Sequence, residues 1–478
     1  MLPNEKRLFR ALVREGMSVT HEGSVYTVRL SQSDPATPPA EILLPASLPL
    51  EAKAVRQLAE LASVKHPHTG ARVCRVCATP DFHPGDAGVA IGSVAEVDGM
   101  VVPQAVGVDV CCGMRRHTTD LTVDRFMSRK PALVAKLKGD YLLGTRDVVM
   151  RGQSMREMLD GGLGPWARSV RTEPLGRMAG VDWDQVEREA RDRVYLGGGL
   201  AGDWNLMPDS LTSEDTVRDE GLATIGKGNH FVEMLVVTDV LNRKLGYQWG
   251  VKAGQVAFMV HTGSRNVGRY VGGLWEERAR KAWPAGVKYP ESGLFPVVGE
   301  DVEAYIRHEN TASNYGFVNR MLLAELCRLR LREVYGAEIE APLVYDLPHN
   351  ITLKENGKWV SRKGACPAHD GQPVIVPGSM GTSSFLCVGL GNDRWFSSAS
   401  HGAGRAHSRG SMGRFVRDAA HAAELGLDGV ECITLHEERR VEEAPKSYKP
   451  IRPVIDAQVE AGMIRVVAEM KPLLTFKA

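Results

Sequence analysis

The sequence predicts an α+β fold, with mixed or antiparallel sheets surrounding a deep cleft. Three observations point there. Short apolar runs alternate with glycines from 71 to 110, as strands and turns do, and further apolar runs at 230–238 and 255–261 read as strands. The segment 300–335 reads as one long helix that stops at Gly336. No internal repeat or low-complexity tract breaks the pattern.

Taken in order, residues 1–45 open with a short helix, pass through the alternating "HEGSVYTVRL" and end in the Pro-rich "SDPATPPAEI". Within 47–63, Val55, Leu58, Ala59 and Ala62 fall at helical spacing, with Ser47 available as a cap. Residues 1–65 are expected as an N-terminal leading segment packed on a main domain of 66–478. Residues 160–222 are polar and weakly periodic, an excursion with some helix at 182–195. A glycine-dense stretch at 364–412 has the small residues that active-site loops use.

Composition narrows the function. With 478 residues and 43% hydrophobic content the chain can bury a large core. Lys+Arg 59 against Asp+Glu 58 leaves no global basic character, so any polyanion site must be a local patch. Aromatics at 6% disfavour a base-stacking surface. The start "MLPNEKRLFR" carries charges where a secretion signal needs an apolar run, and no stretch is apolar for the roughly 18 residues a membrane span requires. A cytoplasmic location without membrane partners is expected, with the eight cysteines as reduced thiols or ligands.

The chemistry-bearing residues lie at predicted strand ends. In "GVDVCCGM", Asp109 and Cys112 let one loop offer a hard oxygen and a soft sulfur to a metal. His230 heads the strand in "GKGNHFVE", His261 ends the strand in "VAFMVHTGSRNVG", and His349 follows a proline in "YDLPHNI". Each alone fits a core or turn histidine. Together with Asp109 and Cys112 they supply enough ligands for a two-ion site, and thiolate plus imidazole by softness alone suits zinc. In "SASHGAGRAHSR", His401 stands among small residues with Arg405 and Arg409 after it, a pattern suited to phosphate, although a flexible Gly/Ser loop reads the same way. "VPGSMGTSSF" offers free backbone N–H groups for an anion. There is no P-loop, no HExxH and no Lys-x-Asp-Gly run, and "GGGLAG" at 197–202 opens no helix.

The ordered set "PDFHPG", "GVDVCCGM", "GKGNHFVE", "HTGSRNVG", "PHN", "RKGA", "PGSMGTSSF", "SHGAGRAHSR" and "APKSYKPI" resembles the RtcB-type RNA ligases over roughly 66–478. The resemblance implies a single large catalytic domain of that type around a metal cleft. It implies a cytoplasmic enzyme of tRNA splicing or RNA repair. Such an enzyme joins RNA ends bearing a 3′-phosphate or 2′,3′-cyclic phosphate to 5′-hydroxyl ends, using GTP and two Mn2+ ions. It also implies that Asp109, Cys112, His230, His261 and His349 hold the metal, with Cys112 bridging and Cys111 a bystander. His401 becomes the guanylylated catalytic residue. Asn229, Glu233, Ser379, Gly402, Ala403, Gly404, Tyr448 and Lys477 become nucleotide contacts. Asp81, Arg265, Arg405 and Arg409 fall with the phosphate and RNA contacts of the same site. An activating protein partner is left open. The chain departs from the family pattern at Asn266, in "ECITLHEERRVEEAP", in the ending "TFKA" and across 160–222. Two rivals stand beside this reading: a dinuclear metallophosphoesterase of RNA ends, and a non-catalytic RNA-binding relative.

Overall fold

The computed structural model describes residues 3–412 and 424–478. Two large sheets carry the architecture. The first runs, edge to edge, through Met17–Glu22, Val25–Leu30, Ala40–Leu43, Arg72–His83, Ile91–Asp98, Lys358–Lys363 and Asn350–Glu355. Its pairs are antiparallel except Ala40–Leu43 beside Arg72–His83. The leading segment therefore adds three strands to a sheet whose other members come from the main domain. The Pro-rich tract ends in one of them, Ala40–Leu43.

The second sheet runs through Leu343–Pro348, Gly113–Thr122, Gln255–Thr262, Phe231–Val240, Ile464–Phe476, Ser384–Gly389 and Pro373–Val376. Cys432–Ile433 pairs in parallel onto the long Ile464–Phe476 strand. The first and last strands of this order lie against each other, so the sheet curls almost closed. One apolar cluster takes Met114, Leu235, Met259, Val344, Ile375, Leu386 and Met470 from the seven successive strands, filling the interior. Mixed sheets with segregated helices make this an α+β fold.

The expected strands and helices fall at Phe231–Val240, Gln255–Thr262, Asp301–Tyr335 and Trp183–Arg193. The helix expected at 47–63 is shorter, Ala52–Ala62, and Glu51 rather than Ser47 stands at its start. Pro49 explains the shift, because the residue before a proline is pushed out of helical geometry. The excursion also holds a helix at Leu163–Thr172, and Trp166 packs edge-on against Trp183 at 5.5 Å. Glu189 from the same region reaches the main core, accepting from the Leu343 N–H at 2.9 Å. Among the described residues no helix is long and apolar enough to cross a membrane.

Candidate active site

One rim of the curled sheet gathers the expected ligands. Antiparallel pairing places the start of Gly113–Thr122, the end of Gln255–Thr262, the start of Phe231–Val240 and the ends of Ile464–Phe476 and Leu343–Pro348 side by side. Cys112, His261, His230, Lys477 and His349 sit on those five strand ends. His349 is also the single residue between a strand of one sheet and a strand of the other, Leu343–Pro348 and Asn350–Glu355. Its N–H donates to the Cys112 carbonyl at 2.7 Å, while Cys111 N–H donates to Asn350 O at 2.8 Å.

The Asp109–Cys112 loop is a tight turn closed by Cys112 N–H to Asp109 O at 3.1 Å. Cys111 occupies its third position with φ +53°, a left-handed conformation where glycine is usual. This turn directs Cys112 to the rim and Cys111 into the core, where Cys111 Sγ meets Arg320 Nη2 at 3.8 Å. Gly263 completes the fit, since a Cβ there would come within 2.5 Å of Asp109 Oδ1.

Cys112 Sγ lies 3.2 Å from both His230 Nε2 and His261 Nε2. Asp109 Oδ2 is 2.9 Å from His230 Nε2, and His349 Nε2 is 3.3 Å from His261 Nε2. His261 Nδ1 donates to the Asn229 carbonyl at 3.1 Å, which leaves its Nε2 as a lone pair among other ligand atoms. Burial holds the His261 and His349 imidazoles well below their ordinary pKa, hence neutral. Burial, then the Asp109 carboxylate, raises the Cys112 thiol well above its own. Buried soft and hard donors converging on each other fit a divalent metal, whose charge deprotonates such a thiol. Cys112, His230 and His261 form a cluster able to hold a metal ion.

His401 approaches this cluster from the side of the first sheet. It follows the short strand Ser398–Ser400 and its ring centroid is 4.7 Å from that of His349. Its Nδ1–H donates to Asp81 Oδ2 at 2.6 Å, and Thr79 Oγ1 donates to Asp81 Oδ1 at 2.6 Å. Burial works to raise the Asp81 carboxyl, but His401 and Thr79 hold it below its usual range. The HGAG loop lies directly on the Asp81 backbone. Gly404, at φ +74°, leaves room that a Cβ would fill at 2.1 Å from Asp81 O.

A cavity of about 590 Å³ opens in front of these groups. Asp109, Cys112, His261, His349, His401, Asn229, Glu233, Ser379, Gly402, Ala403, Gly404, Arg405, Arg409, Tyr448 and Lys477 all line it. Three expected residues stand behind its wall. His230 reaches it through Cys112 and Asp109. Asp81 is fully buried and faces the His401 imidazole rather than open space. Arg265, in a left-handed conformation at φ +56°, donates from Nε to Thr224 Oγ1 at 3.0 Å. Glu233 is buried, accepts from Thr475 Oγ1 at 2.7 Å and is pushed up to about 8 by burial.

Sequence reasoning did not single out Glu443, which organises one wall. Arg405 Nη1 lies 3.1 Å from both its oxygens, Arg409 Nε donates to Oε1 at 3.0 Å, and the Tyr448 hydroxyl donates to Oε2. Burial works against its charge, yet Lys477, Arg405 and Arg409 pull it down to about 2. Its only sequence signal was its place in the tract "VEEAP", which departs from the family pattern.

A ligand cluster able to hold a metal at the rim of one sheet, with His401 packed against it beside an arginine-lined cavity, defines a class of metal-site enzyme. Residues 57–478 match the family model described as tRNA-splicing ligase RtcB. A tRNA-splicing ligase RtcB from Aeropyrum pernix is 31% identical over 433 residues, covering 82% of this chain and 86% of that protein. One from Thermococcus kodakarensis is 32% identical over 442 residues, with 82% and 86% covered. An RNA-splicing ligase RtcB from Mycobacterium tuberculosis is 32% identical over 434 residues, with 83% and 95% covered. The chain belongs to the RtcB family and is an RNA ligase.

Proposed function

We propose that this ligase joins RNA 2′,3′-cyclic-phosphate or 3′-phosphate ends to 5′-hydroxyl ends, using GTP through a guanylyl-histidine on His401. The observation that carries this reading is the pairing of His401 Nδ1–H with the buried Asp81 carboxylate, beside the metal cluster. With Nδ1 engaged, Nε2 is the imidazole nitrogen left to act as nucleophile. Attack of the Nε2 lone pair on the α-phosphorus of GTP forms a P–N bond and breaks the bond to pyrophosphate. The imidazole then carries positive charge, which Asp81 balances while holding the ring in place. That charge makes the ring a good leaving group when an RNA 3′-phosphate oxygen attacks and takes the GMP. Finally the 5′-hydroxyl attacks the activated 3′-phosphorus, loses its proton and expels GMP.

Asp109, Cys112, His230, His261 and His349 are the groups that would hold two Mn2+ ions, which would supply Lewis-acid neutralisation of phosphate charge. Arg405, Arg409 and Ser379 line the cavity where phosphates would lie, with Arg265 behind it, whereas the Gly378 and Ser379 N–H groups expected to be free donate to Ser384 Oγ and Thr382 Oγ1. The relatives known as tRNA-splicing ligases support tRNA splicing as the setting, with RNA repair as a further use of the same chemistry. Eight free cysteines support a reducing, cytoplasmic setting. An activating protein is compatible with this scheme.

Incubation with radiolabelled GTP and Mn2+, then a denaturing gel and peptide mapping, tests the reading. A GMP adduct on His401, labile to acid and stable to alkali, is expected. His401→Ala should abolish both adduct and joining while keeping bound metal near wild type. Phosphate release from RNA ends without an adduct would instead identify a metallophosphoesterase, and RNA binding without either a non-catalytic relative.

A further inference from the structure

Glu443 stands at the centre of four side chains at the cavity wall. It is 1% exposed, and the Tyr448 phenol and the Arg405 and Arg409 guanidiniums all bond to it. Lys477 Nζ stands 3.8 Å from its Oε2 and 5.9 Å from the Phe231 ring centroid. Arg405 is held further by the Glu442 carbonyl at 2.8 Å and the His407 carbonyl at 3.0 Å, and lies over the Tyr448 ring at 5.2 Å. Lysine and arginine are the most rotationally free side chains, and the buried Glu443 carboxylate is the partner these three share. Three cations against one anion leave the wall positive, so the wall can take a polar, electron-rich ligand without losing its internal partner.

Lys477 is the member that lines the cavity at the end of the Ile464–Phe476 strand, beside Glu233. It lies two residues after Thr475, which donates to Glu233, and Lys477 and Glu233 both line the cavity. Guanine presents a 6-oxo acceptor where adenine presents an amino donor. An ammonium fixed at that edge accepts the first and rejects the second. Glu443 contributes by holding Lys477 in place, from behind.

We propose that Glu443 is the positioning residue for nucleotide choice, acting through Lys477 to set the preference for a 6-oxopurine triphosphate over ATP. This rests on the GTP reading above. The test measures GMP- and AMP-adduct formation with Mn2+ in wild type, Glu443→Gln, Lys477→Met and the double variant. For Glu443→Gln the KM for GTP should rise about tenfold or more, the saturated rate should change less than about threefold, and the GTP-over-ATP preference should shrink with KM. In GTP-over-ATP preference the double variant should be no worse than Lys477→Met alone, because only the Lys477 contact is proposed to distinguish the bases. Thermal melts establish that each variant is folded. If Glu443→Gln does not fold, Glu443→Asp takes its place. It keeps the charge but retracts it, and a reduced GTP preference is expected.

An unchanged GTP preference in a folded Glu443 variant overturns the proposal while leaving the GTP reading intact. So does a loss that falls equally on both nucleotides and adds to that of Lys477→Met, the mark of a purely structural role. Absence of any adduct in wild type removes the GTP reading, and this proposal with it.

Discussion

The Cys112 thiol is the atom on which both halves of the ligand set converge, at 3.2 Å from an imidazole on either side. Its neighbour has the same chemistry and no such role, because the left-handed turn at Cys111 sends the two side chains apart. Cys112→Ser should therefore lose most of the retained divalent metal after dialysis, whereas Cys111→Ser should hold nearly the wild-type amount. Elemental analysis of the two proteins decides it, and equal metal contents would contradict the assignment. At this scale much was readable in advance, since Asp109, Cys112 and the three histidines lie at strand ends that apolar runs mark out. What could not be read is pairing across long sequence distance. Asp81 binds His401 from 320 residues away, and Glu443 is an ordinary acidic residue until the fold brings Arg405, Arg409, Tyr448 and Lys477 around it.

Elements fix where those residues point. Five strand ends meet at one rim because their registers are antiparallel and locked, so the site follows from strand pairing rather than from loop conformation. Strands with clear apolar runs were legible, as was the length of Asp301–Tyr335. The latter is buried from Thr311 to Arg328 and so lacks the one-sided periodicity by which surface helices are recognised. The curling of the second sheet was not legible, because nothing local states that Leu343–Pro348 will approach Pro373–Val376.

The curled sheet carries a local conflict at Arg116. Arg116, on Gly113–Thr122 one position from its Arg115 neighbour, is fully buried. None of its three guanidinium nitrogens has a partner among the described residues. Burial pulls its pKa down to about 9. An unpaired buried charge costs several kcal/mol, so Arg116→Met should raise stability by on the order of 1–4 kcal/mol. Denaturant unfolding of the two proteins measures the difference. A clear loss of stability would show that the guanidinium is satisfied in solution.

Across the whole molecule, the rim that carries the candidate ligands is held from beneath by a buried charge network. Asp346 accepts from Arg320 Nε at 2.8 Å and from Arg115 Nη1 at 3.2 Å. Glu189, from the 160–222 excursion, pairs with Arg328 and lies 3.6 Å from Arg115, while Arg328 also binds Glu325. Three arginines thus face three carboxylates drawn from the long helix, the second sheet and the excursion. Arg320 then donates to the carbonyls of Cys111 at 2.6 Å and Thr262 at 3.2 Å, the residues next to Cys112 and His261. Asp346→Asn removes one of the three negative charges and leaves Arg115 and Arg320 short of a counter-charge in the interior. The expected cost is about 3–5 kcal/mol, the usual penalty for breaking a buried ion pair on one side. Retained metal should also fall, because Arg320 then positions the two ligand-bearing segments less firmly. Denaturant unfolding and elemental analysis of the same preparation test both. A stability loss below about 1 kcal/mol, within reach of ordinary surface substitutions, would mean that the network is not what supports the rim. Full loss of stability with unchanged metal would confine its role to the fold.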